Sequence, residues 1–99
     1  MHYRLMPVAQ AELDGIWIYF AAASGSVEIA KRQIEKIEKC FSLLVGSPKA
    51  GRRRDHDLGA NLRSFPVGEY VVVYRIEDSG PLILRVTRGS RDLKALIIN

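Results

Sequence analysis

Ninety-nine residues allow one small domain, 1–99, with a single modest core. A content of 47% hydrophobic and 26% charged residues excludes global disorder. No apolar run is long enough to span a membrane, because Arg75, Arg85 and Arg88 interrupt the most hydrophobic region. The net charge of +4 is uneven: residues 50–99 carry nine basic groups against six acidic ones, and all nine except Lys94 are arginine. Arginine holds carboxylate or phosphate through a planar fork, so this half suits an acidic partner, protein or nucleic acid, or else forms a solvated basic surface. The N-terminus has no apolar signal core and Cys40 has no second cysteine to pair with, so a cytoplasmic location is expected.

His2–Met6 alternates and predicts a short strand. Pro7 suits a first helical turn, and Ala9, Leu13, Ile16, Trp17 and Phe20 follow at helical spacing, with Trp17 expected in the core or the hairpin seam. Gly25 is the expected C-cap and Ser26 the expected N-cap of a second helix. Val27, Ala30, Ile34, Ile37, Phe41 and Leu44 form its apolar seam, and Gly46 and Pro48 end it. A short connection makes the two helices an antiparallel hairpin; a coiled-coil dimer is the competing reading of the seam, short for its kind.

Residues 49–61 predict a polar loop containing Arg52-Arg53-Arg54. Strands are expected at Leu62–Val67, Glu69–Ile76 and Leu82–Arg88, with a turn at Asp78-Ser79-Gly80-Pro81. Residues 91–98 fit a short helix or an extended tail. The order β-α-α-β-β-β gives an α+β domain, a helix hairpin over a mainly antiparallel sheet. The place of the first strand in that sheet is not fixed by pattern. Alternation sets Leu82, Leu84, Val86 and Arg88 on one face of the last strand, and Ile83, Arg85 and Thr87 on the other. The arginines either form a binding surface or pair with Glu69, Glu77 or Asp92.

Tyr3-Arg4-Leu5, Ala9, Glu12-Leu13, Ile16 and Tyr19-Phe20 open the chain. Leu43-Leu44, Ser47-Pro48, Gly51-Arg52 and Leu62-Arg63-Ser64-Phe65 follow, then Val67-Gly68-Glu69-Tyr70-Val71-Val72-Val73-Tyr74-Arg75 and Leu84-Arg85-Val86, Gly89 and Arg91-Asp92-Leu93. In this order and spacing the chain resembles the ParE toxins of the RelE/ParE superfamily of bacterial type II toxin–antitoxin systems. The resemblance covers nearly the whole chain. It implies a toxin neutralised by a cognate, ParD-like antitoxin, with operator DNA reached only through that antitoxin. The ParE branch is associated with poisoning DNA gyrase, and the RelE branch with cutting mRNA on the ribosome.

RNA cleavage through the 2′-hydroxyl needs a base, an acid and cations over the developing charge. RelE-type toxins usually carry a His or Tyr near the C-terminal end, and residues 87–99 here contain neither. That directs the reading towards a non-enzymatic, gyrase-binding toxin, with a RelE-type endoribonuclease or a weakly toxic member acting mainly in an antitoxin complex as the alternatives. His56, between Asp55 and Asp57, is either a general base or a solvated loop residue. Two His and one Cys, far apart, make no metal motif, and no cofactor is expected. The candidates for binding target or antitoxin are Arg52, Arg53, Arg54, Arg63, Arg75, Arg88 and Arg91. The groove between hairpin and sheet, rimmed by Arg63, Arg75, Arg88 and Arg91, is the candidate surface.

Overall fold

The computed structural model describes residues 2–89 and 92–98. Strand β1 (Arg4–Leu5) leads into helices α1 (Pro7–Ser24) and α2 (Val27–Gly46) and a 3-10 turn at Pro48–Ala50. Strands β2 (Arg52–Arg53), β3 (Leu62–Val67), β4 (Tyr70–Glu77) and β5 (Gly80–Arg88) follow, then helix α3 (Leu93–Ile98). The caps are the expected ones. Gly25 takes a left-handed φ of 68°, and its N–H bonds back to the carbonyl of Ala21. The Ser26 hydroxyl accepts from the Ile29 N–H at 3.3 Å.

The five strands lie in the order β1-β5-β4-β3-β2, with β1 parallel to β5 and the other neighbours antiparallel. The first strand therefore sits at one edge. The other edge is β2, a two-residue strand inside the segment expected to be loop. Arg52 and Arg53 pair with Ser64 and Arg63, an interaction invisible to local pattern because both arginines are exposed. Pro66 lies in β3 beyond the reach of β2, on an open edge where its missing N–H leaves nothing unpaired.

The hairpin packs on one face of the sheet. Leu13, Ile16, Ile37, Phe41 and Leu44 meet Tyr70, Val72, Tyr74, Ile83 and Val86 in the main core. The α2 seam is thus used inside the chain, and Val27 at its start is exposed. Trp17 takes the seam rather than the core: it stands 37% exposed on α1, lining a crevice with Ile34 and Glu38 of α2, while the buried line of α1 is Ala9, Leu13 and Ile16. On the far face of the sheet a second cluster gathers Leu58, Leu62, Val73 and Leu93, with Val71, Leu84 and Ile97 against it. So Leu93–Ile98 is helical and docks there.

Strict alternation fails in β5. Val73 faces Arg85 while Tyr74 faces Ile83, which leaves Leu84 as the extra residue of a bulge. Ile83 and Val86 consequently both enter the main core, and Leu84 turns to the second cluster. Tyr74, fully buried, ties the 3-10 turn to the sheet. Its hydroxyl accepts from the Gly51 N–H at 2.8 Å and donates to the Pro48 carbonyl at 2.6 Å.

Candidate docking groove between the first helix and the last strand

β1 pairs with β5 only at Leu82 and Ile83, and the Met6 N–H bonds the Ile83 carbonyl at 2.9 Å. Beyond that point β5 has no strand on this side among the described residues. The Gly89 N–H bonds the Glu69 carbonyl of β4, and the Val86 N–H points the other way, to Glu12. Antiparallel alternation then directs the backbone groups of Arg88 outward as well. The edge opens on a groove of about 450 Å³ between α1 and β5, lined by Glu12, Gly15, Ile16, Tyr19, Tyr70, Val86, Thr87 and Arg88.

Glu12 anchors its floor. Its carboxylate takes Nε and Nη2 of Arg85 at 3.0 and 2.9 Å and the Val86 N–H at 2.9 Å. The Arg85 Nη1 donates to the Leu96 carbonyl at 2.9 Å, so one guanidinium joins α1, β5 and α3. The hydrogen bond and charge of Glu12 hold the Arg85 pKa above its usual value despite burial. Arg88 stands at the mouth, its guanidinium carbon 5.6 Å from the Tyr19 ring and 5.7 Å from the Tyr70 ring. Glu69, mostly exposed, is a loose partner at 3.6 Å. The outer wall is apolar. On this side of α1 Tyr19 is exposed and Ile16 lines the groove, and Gly15 leaves a gap with no atom within 4 Å of where a Cβ would be.

Of the expected arginines among the described residues, Arg88 alone lines this groove. Arg63 lies on β3, where it donates to the carbonyls of Gly51 (2.9 Å) and Lys49 (3.3 Å) and closes the 3-10 turn. Arg75 points to the opposite face and holds Glu77. Arg53 pairs with Asp55 at 3.0 Å, and Arg54 forks onto Asp57 and donates to the Ser64 hydroxyl at 2.9 Å. These bonds draw the Asp55 carboxyl down to about 2 and lower that of Asp57. Arg52 is exposed and makes no ion pair among the described residues. Arg91, and with it a pairing to Asp92, falls outside the described residues. The basic run is therefore mostly self-neutralised, which spacing could not reveal because the acids follow within three residues as an ordinary loop. His56 is largely exposed, 3.6 Å from Asp57, whose carboxylate Arg54 already occupies. No group of three His, Cys, Asp or Glu among the described residues could hold a metal.

Glu12, Gly15, Tyr19 and Tyr70 carry no local signal of a site in the sequence. The available signal is α1 itself, apolar around most of its circumference, as expected of a helix covered on more than one side.

The ParE toxin family of type II toxin-antitoxin systems, parDE, matches residues 3–93. The chain belongs to this family. Among similar proteins, Toxin ParE3 of Caulobacter vibrioides is 35% identical over 92 residues, covering 93% of this chain and 89% of that protein. Toxin ParE1 of the same organism is 34% identical over 74 residues, 75% of each chain. A solved structure of the chromosomal ParDE TA system from P. aeruginosa superposes with a TM-score of 0.74 at 23% identity. It covers 89% of this chain and 95% of that one and shares the fold. As a ParE toxin the chain is one half of a type II pair. Its described helices include none long and apolar enough to cross a membrane.

Proposed function

We propose that the α1/β5 groove is where the antitoxin docks, and that the free toxin acts in the cytoplasm by binding DNA gyrase, without catalysis. The observation that carries the docking reading is the unpaired β5 edge beside an apolar helix. An extended chain could add to the backbone groups of Arg88, fill the gap over Gly15 and bring a carboxylate to Arg88. The gyrase reading draws support from family membership and from side chains arranged for recognition. Arg88 lies over aromatic faces, Arg85 is bound to Glu12, and His56 has no free acid beside it.

Two measurements test it. Co-expression with the protein of the adjoining reading frame should restore growth and yield a stable complex; failure of both removes the antitoxin reading. Purified toxin should inhibit gyrase supercoiling without ribosomes. Normal supercoiling at saturating toxin, together with new mRNA ends on translating ribosomes, would favour the endoribonuclease.

A further inference from the structure

The far face of the sheet carries a basic row that the groove does not use. Cross-strand register sets Arg4 of β1, Leu82 of β5, Arg75 of β4 and Leu62 of β3 side by side, and the Arg54 N–H extends the row by bonding the Leu62 carbonyl. Side chains directly opposite share a face, and Leu62 identifies it as the one away from the hairpin. Two residues along, Arg52 stands opposite Ser64 at the far edge. With strands about 4.8 Å apart, the row from Arg4 to β2 spans about 19 Å.

Glu77 lies between Arg4 and Arg75. Its Oε2 takes Nε of Arg75 at 3.0 Å and Nη2 at 2.9 Å, while its Oε1 takes Nη2 of Arg4. One carboxylate thus orients two guanidinium groups and neutralises only one. Both arginines remain about half exposed, with most of their donors unused. Lys94, exposed on α3, adds charge on the same side, against Asp92 at the start of that helix. Arg54, closed on Asp57, adds none.

We propose that this face binds the phosphate backbone of duplex DNA without reading its sequence. Three features select that ligand. Arginine forks match phosphate oxygens, and Glu77 pre-orders two of them. The exposed large apolar side chains lie on the helices, at Met6 before them, or at Ile76 on the hairpin side, so the far face lacks, among the described residues, the buried anchor that a protein interface needs. Its aromatic neighbours in the sheet, Phe65, Tyr70 and Tyr74, belong to the main-core face, so the described residues offer no stacking platform for single-stranded bases there. A span of about 19 Å matches about six phosphates of one strand by axial rise, of which Arg4, Arg75 and Arg52, less the one charge that Glu77 takes up, would neutralise about two.

The test is fluorescence anisotropy of the full chain with a labelled random-sequence duplex of about 20 base pairs. Binding should weaken about 12-fold between about 50 and 200 mM salt, the slope for about two phosphates. Arg4→Gln with Arg75→Gln should lower affinity about tenfold or more and reduce the slope by about two. Glu77→Gln should tighten binding about threefold, an opposite sign that a folding defect cannot imitate. Lys31→Gln with Lys39→Gln removes the same charge from α2 and should leave binding within about twofold of wild type. No binding at about 50 mM salt overturns the proposal, as does equal loss in the two double variants or tighter binding to a single strand of the same length. The groove and gyrase readings stand or fall separately, since none of these measurements uses antitoxin or gyrase.

Discussion

Glu12 and Arg85 meet in a two-pronged ion pair whose partners, 73 residues apart, are each less than one-fifth exposed. Glu12 also satisfies the Val86 N–H at the point where β1 has run out. One carboxylate therefore replaces a missing strand residue and serves as a counter-ion.

Removing Glu12 leaves a mostly buried guanidinium and an orphaned amide. Glu12→Ala should destabilise the protein by about 2–3 kcal/mol, read as a fall in the thermal midpoint of about 10 °C or more. Arg85→Met should be milder, because Glu12 keeps the Val86 N–H. The double variant should lose less than the two singles added together. Additive losses in urea titrations would show the pair to be uncoupled.

Tyr74→Phe removes only a hydroxyl, yet it strands the Gly51 N–H and the Pro48 carbonyl. The expected loss is about 1–3 kcal/mol. Gly51→Ala should be at least as damaging, because a Cβ there would run into the Tyr74 ring and hydroxyl. Exchange of the Gly51 amide in the Phe variant, measured by NMR, should accelerate more than that of amides in the middle of α2.

Acid should act first on the segment after β2. Arg53 and the Asn61 N–H hold the Asp55 carboxyl at about 2, below its unfolded value near 4. The unfolded chain therefore takes up a proton more readily, so stability is present above about pH 4 and is lost as pH falls towards about 2. Asp57, lowered by Arg54, acts with the same sign. Asp55→Asn with Asp57→Asn should flatten the fall in melting temperature over that window. An unchanged slope would mean that other carboxylates govern acid unfolding.

The caps at Gly25 and Ser26, the α2 seam and the β3–β5 meander are legible in the sequence, because each depends on spacing along one segment. The Leu84 bulge is not, since an inserted residue shows only against the partner strand, and it reverses the faces expected for Val86. Arg63, Arg75 and Arg88 look equivalent as basic residues on strands. Register separates them, giving Arg63 to a turn, Arg75 to the far face and Arg88 to the groove. Trp17 lies at the rim of the hairpin seam rather than in the core, because α1 is apolar on several sides and helical spacing alone does not choose among them.

Gly15 offers a variant that tells loss of docking from loss of fold. It is exposed in α1, with no atom within 4 Å of the place a Cβ would take, so a long side chain fits in the free toxin. Glycine inside a helix is unfavourable by about 1 kcal/mol, and Gly15→Arg should leave the free protein as stable as wild type or slightly more so. The same side chain would fill the groove beside Tyr19 and Arg88, and because its charge favours an acidic partner, any loss of binding reports steric exclusion. An arginine there would crowd out the partner's backbone, and calorimetric titration with the cognate antitoxin should show affinity reduced about 100-fold, about 2.7 kcal/mol. Arg88→Ala should produce a smaller loss, about 1–2 kcal/mol, by removing the cation between the two tyrosine rings. Wild-type affinity in Gly15→Arg, with a normal melting curve, would move the antitoxin off this groove altogether.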